Sequence, residues 1–184
     1  MKTDARVRYT KNVLRDSLIK LLKAKPIQTV TVKELCELAQ INRATFYTHY
    51  SNPYDLLEQI ENELFEQMST KVIKKFTQDT LTEITKLAFG IIADNIELCR
   101  VLFSENGNKQ FLDRVMRLSR ETTISSWKAT YPHATKNQID FLFTFIISGS
   151  VAVIEHWARI GMKETPVDLA EIVNKIAQIW LKKK

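Results

Sequence analysis

The segment VTVKELCELAQINRATFYTHYSNPYDLL, residues 30–57, leaves the chain little freedom in local structure. Thr31 stands three residues before Glu34, the spacing of a reciprocal N-terminal cap, and Val32, Leu35 and Ala39 then share one face of a short helix. Gln40-Ile41-Asn42 breaks that periodicity. Asn42 can cap a further helix over residues 43–50, where Phe46 and Tyr50, four apart, anchor it to its neighbours. Asn52-Pro53 punctuates again, with Asn at the cap and Pro at the first helical position, where a missing N–H is harmless.

The remainder reads as all-α. Four Gly and four Pro in 184 residues leave few turn signals, so long helices are expected. Leu14, Leu18, Leu21 and Leu22 mark a first helix over about 7–24, ended by Pro26. Leu57, Ile60, Leu64 and Met68 mark a long helix from Pro53 to about 77, with Glu58, Glu61, Glu63 and Glu66 assigned to its outer face. Further helices are expected at about 79–94, 96–104, 109–130, 136–161 and 166–182, about nine in total. Breaks fall at Asn95, Asn106-Gly107-Asn108, Tyr131-Pro132-His133 and from Gly161 to Pro166. The expected division is a three-helix head in 1–52 and a larger helical body in 53–184.

Charge is distributed unevenly across that division. Residues 1–50 hold ten Lys/Arg against four Asp/Glu, whereas residues 51–184 hold seventeen of each. The formal net charge of +6 therefore lies in the first quarter, as a phosphate polyanion would reward. Two short helices joined by a tight turn form the unit that lays one helix into a DNA major groove. Cys36 and Cys99 are isolated and are expected as small buried apolar groups. His49, His133 and His156 offer no metal-ligand spacing, and no metal or cofactor is expected. No nucleophile–base pair or Gly-rich phosphate loop is visible, so an enzyme is a poor reading. With no run of 18 apolar residues and no apolar h-region in the N-terminal MKTDARVRYTKN, a cytoplasmic setting is expected.

The run Thr-Phe-Tyr-x-His-Tyr-x-Asn-x-x-x-Leu-Leu, behind TVKELCELAQIN, resembles the DNA-binding domain of the tetracycline-repressor (TetR) family of bacterial transcription regulators. The specific likeness covers about residues 7–60. SGSVAVIEHWARIGMKETPVDLAEIV resembles the last two helices of many members. The resemblance implies a helix-turn-helix head and a body that binds a small-molecule effector. It also implies a homodimer through the last two helices, most often a repressor, reading a near-palindromic operator. Carried over by position, Arg43 and Ala44 face base edges and Lys33 reaches the same groove. Thr45, Tyr47 and His49 bond phosphates or wall the groove, Thr31 meets a phosphate at a helix N-terminus, and Asn52 contributes at the next one. Arg6, Arg8 and Lys11 touch backbone or minor groove from the leading arm. Two positions depart from the pattern. Gln40 stands where many relatives have Gly, and Pro53 where many have a phosphate-binding Lys. An alternative is a DNA-binding co-activator or nucleoid-associated regulator that works through a protein partner.

Body residues admit plainer readings. Phe65, Phe76, Phe89, Phe103, Phe111, Trp127, Tyr131, Phe141 and Phe145 are each expected as core before cavity lining. Asn95, Arg100, Glu155 and His156 are the polar candidates for a ligand site, with solvent or a dimer seam as the competing placement. Ser148, Gly149, Ala152 and His156 line one narrow side of the helix at 136–161, with Phe145 above, as a two-fold interface would need. Intramolecular packing is the rival reading. Trp157 and Trp180 are expected to help bury that seam, and Lys182–Lys184 to be solvated.

Overall fold

The computed structural model describes residues 2–71, 81–104, 109–130 and 132–181. Phe76, Tyr131, Lys182–Lys184, the Asn106-Gly107-Asn108 break and the Trp180 side chain lie outside the described residues. Those residues form an all-helical fold: α1 (Lys2–Leu22), α2 (Val32–Ala39), α3 (Arg43–Tyr47), α4 (Pro53–Lys71), α5 (Leu81–Asp94), α6 (Ile96–Phe103), α7 (Lys109–Thr130), α8 (Lys136–Arg159) and α9 (Pro166–Leu181). Helix α1 starts earlier than its leucine stripe, and α3 ends at Tyr47 instead of 50. A 3-10 turn at Ile27–Thr29, absent from the sequence reading, follows Pro26; it carries buried Ile27 into the core between α1 and α2.

Local chemistry explains most of these boundaries. Thr31 with Glu34 and Thr135 with Gln138 form reciprocal capping boxes at α2 and α8. Thr165 and Asp168 bond reciprocally at the start of α9. Asn52 Oδ1 accepts the Asp55 N–H at 3.0 Å, and Asp55 accepts the Ser51 N–H at 2.8 Å, which fixes the entry to α4. At the far end of α8, Gly161 adopts φ 92° and the Met162 N–H bonds the Trp157 carbonyl at 3.0 Å, a Schellman stop.

One core cluster runs from the head into the body: Leu14, Leu18 and Leu22 of α1, Leu35 and Cys36 of α2, Phe46 of α3, Leu57, Ile60 and Leu64 of α4, and on to Leu98, Trp157 and Ala170. Helix α1 packs on α2, α4 and α6; α5 packs most extensively on α9, and α7 on α8. A smaller cluster joins Trp127 of α7 to Ile139, Leu142 and Phe143 of α8.

Four side chains stand elsewhere than expected. Glu61 is buried, not on the outer face of α4, because it lies four residues from Leu57 and three from Leu64 and so shares their stripe. Phe141 and Phe145, expected as core, are 76% and 68% exposed. They stand on the side of α8 away from Leu142 and Phe143, which take the places against α7. Trp157, assigned to an intermolecular seam, is 2% exposed within its own chain, and its indole N–H donates to the Glu164 carbonyl at 3.1 Å. By length and composition α8 would also pass for a membrane span, with a mean hydropathy of 1.5 over its most apolar window. Much of that apolar surplus forms an exposed stripe.

Gln40 ends α2 at φ 54°, ψ 38°, the left-handed region where a Cβ is unfavourable. Its conformation is held because the Ile41 N–H reaches back to the Cys36 carbonyl at 3.0 Å. Gln40→Gly is therefore expected to stabilise the fold by about 0.5–1 kcal/mol, raising the midpoint by about 1–4 °C in thermal unfolding. An unchanged or lower midpoint would contradict strain at this turn.

Candidate nucleic-acid interface

Helix α3 has five residues and owes its place to what surrounds it. Phe46 is wholly buried and Tyr50 nearly so, with ring centroids 5.6 Å apart. Burial, then the charges of Glu63 and Asp55, pushes the Tyr50 phenol above its ordinary pKa. At the other end Asn42 Oδ1 accepts the Ala44 N–H at 2.8 Å. With its inner side fixed in this way, α3 leaves Arg43, Ala44 and Tyr47 exposed and Thr45 half-buried. The Tyr47 ring meets Phe46 edge-on at 5.5 Å while remaining 58% exposed. His49 is half-buried beside Tyr50 at 6.2 Å.

The preceding helix is braced from its N-terminus. Thr31 Oγ1 accepts the Glu34 N–H at 3.2 Å and donates to the Glu34 carboxylate at 2.8 Å, while the Thr31 N–H reaches that carboxylate at 3.1 Å. Lys25 Nζ bonds Glu34 at 2.6 Å and the Thr29 carbonyl at 3.1 Å. The Lys25 and Thr31 bonds hold the Glu34 carboxyl at about 2. Two consequences follow. The Thr31 hydroxyl proton is already engaged, so an anion at this end meets the exposed first-turn N–H groups. Glu34 is also tied up, whereas Lys33 and Arg43 are exposed with no hydrogen bond or ion pair to other described residues.

The structure thus gathers Lys33, Arg43, Ala44, Thr45 and Tyr47 on the α2–turn–α3 unit, with His49 just beyond. Asn52 sits apart, at the start of α4, with its carbonyl oxygen used by Asp55. The sequence reading missed Lys25 as the brace of α2; nothing local signals a contact nine residues away across Pro26. It also missed a cleft of about 300 Å³ between α1 and α4, where Arg8, Lys11 and Arg15 face Tyr50, Gln59 and Glu63.

Comparison with known proteins agrees with this architecture. A TetR family model, described as a transcriptional regulator C-terminal region, matches residues 79–178. The chain belongs to the TetR family of transcriptional regulators. An uncharacterized HTH-type transcriptional regulator of Bacillus subtilis strain 168, YxbF, is 29% identical over 69 residues, 37% of this chain but only 18% of that protein's length. A TetR transcriptional regulator from Streptococcus agalactiae 2603V has a similar fold, with TM-score 0.64, 22% identity and coverage of 96% and 98% of the two chains. So does the transcriptional regulator FadR of B. subtilis, solved in complex with stearoyl-CoA, with TM-score 0.68, 13% identity and coverage of 90% and 96%.

The lowered Glu34 carboxyl sets a pH dependence. Its folded pKa of about 2 lies below its ordinary 4.5, so its contribution is present above 4.5 and is lost as pH falls from 4.5 towards 2. Glu34→Gln should flatten that part of the stability–pH curve in urea titrations. Asp55 and Asp168, also lowered, keep some slope. A variant with the full parental acid slope would remove the brace.

Proposed function

We propose that this regulator binds double-stranded DNA through the α2–α3 face, as a homodimer of repressor type acting on a near-palindromic operator. Its head comprises residues 1–52 and its effector-responsive body residues 53–184, and it works in the cytoplasm. One observation carries the reading: Lys33 and Arg43, with no ion pair among the described residues, share an exposed unit with Tyr47 while Glu34 of the same unit is paired with Lys25. Arg43 and Ala44 are the base-facing pair, with Lys33 beside them. Thr45, Tyr47, His49, the α2 N-terminus at Thr31 and the free amide of Asn52 position the duplex through phosphates.

The dimer reading rests on α8 and α9. Phe141, Phe145, Ser148, Gly149, Ala152 and His156 are all exposed at helical spacing, so intramolecular packing does not account for them. Val167, Ile172 and Ile176 of α9 are exposed as well. An apolar stripe of this kind, flanked by small residues, calls for a second copy. Two heads on one paired body would meet half-sites about one helical turn apart. The stearoyl-CoA complex of FadR, a protein of similar fold, supports a body that takes small molecules.

Arg43→Ala is expected to cost about 1–3 kcal/mol at the cognate operator and to relax base preference at one position. Tyr47→Phe should weaken all duplexes to a similar, smaller extent. Quantitative binding to the operator and to scrambled duplexes separates the two. Parental affinity and selectivity in both variants would place the DNA-facing surface elsewhere.

A further inference from the structure

Between α6 and α8 lies a cleft of about 360 Å³. Its floor is apolar, with Ile154 buried and Ile96 and Phe103 half-buried. Its rim carries Arg100, Arg159 and Glu155, all exposed. The two guanidiniums are differently engaged. Arg100 donates to Glu97 at 3.1 Å and to the Ala158 carbonyl at the last turn of α8, and retains further N–H donors. Arg159 makes a polar contact to the His156 ring at 3.1 Å and has no carboxylate partner among the described residues, although Glu155 is one turn away.

We propose that this cleft binds a small amphipathic carboxylate, with the anion between Arg100 and Arg159 and the apolar tail against Ile96, Phe103 and Ile154. A planar fork of N–H donors matches a carboxylate, and the volume lies at the small end of ligand sites. A neutral or cationic ligand would leave the further N–H donors of both guanidiniums to solvent. Phosphate alone would leave the apolar floor wet. Glu155 opposes the anion, which limits affinity and excludes polyanions.

The position gives binding a route to the rest of the molecule. Arg100 shares Glu97 with Lys23, so the cleft lies one ion pair from α1 of the head. Glu97 is half-buried, and the Lys23 contact holds its carboxyl below the usual range. A carboxylate drawing on Arg100 competes with Glu97 for the same guanidinium. Calling the occupant an effector rests on the DNA-binding reading above; its binding does not.

Isothermal titration of the intact protein, without DNA, with octanoate, 1-octanol and acetate tests the site. Octanoate should bind saturably at one per chain, with octanol and acetate at least tenfold weaker. Arg159→Gln, at an exposed position, should weaken octanoate at least fivefold, and Arg100→Gln at least as much. Glu155→Gln should tighten it. Octanol binding as well as octanoate, unsaturable octanoate uptake, or parental octanoate affinity in Arg159→Gln would each overturn the proposal. Because no operator is present, loss of DNA binding cannot mimic any of these results.

Discussion

Everything presented by the five-residue helix α3 depends on Phe46 having no exposed surface. A helix that short has no stability of its own, since nucleation is unfavourable and there are too few bonds to offset it. Burying one Phe contributes about 1.5–3 kcal/mol, against about 1 kcal/mol for a cap such as Asn42. The aromatic anchor therefore dominates, and the cap refines the starting angle. With Phe46 and Tyr50 inward, α3 is held in place while Arg43 and Tyr47 stay exposed.

The same core extends past the head. Helix α1 supplies Leu14, Leu18 and Leu22 to the head while its other side reaches the body. Arg15 donates to Asn95 Oδ1 at 3.0 Å, and Lys23 pairs with Glu97 of α6. On α4, Arg114 of α7 lies 3.8 Å over the Phe65 ring and donates to Asn62 at 2.6 Å. Head and body are joined through packed side chains and fixed polar contacts, not strung on a loose linker. Contact of this kind is the physical requirement for a ligand in the body to bias the head, provided it binds two arrangements with different affinity.

Local signals were legible from the residues because their causes are local. The Thr31–Glu34, Asn42 and Asn52-Pro53 signals give three helix starts, and Gln40, standing where many relatives have Gly, adopts a positive φ. Errors arose where a side chain's surroundings come from far along the chain. Glu61 was read by its charge, yet its spacing from Leu57 and Leu64 turns it inward. Phe141 and Phe145 were read by hydrophobicity, which does not by itself say which side of α8 packs against α7. Trp157 was misplaced in the opposite direction. Of the candidate interface, the residue types could be read from sequence; the neutralisation of Glu34 by Lys25, which leaves Lys33 and Arg43 as free cations, could not.

The most direct test of a cationic face pressed against duplex DNA is the dependence of the intact protein's duplex affinity on salt concentration. The account predicts measurable binding at low salt and a linear fall of log K with log salt, with a slope of about −0.9 for each phosphate neutralised. Failure to bind any duplex at low salt, or an affinity indifferent to salt, would contradict it.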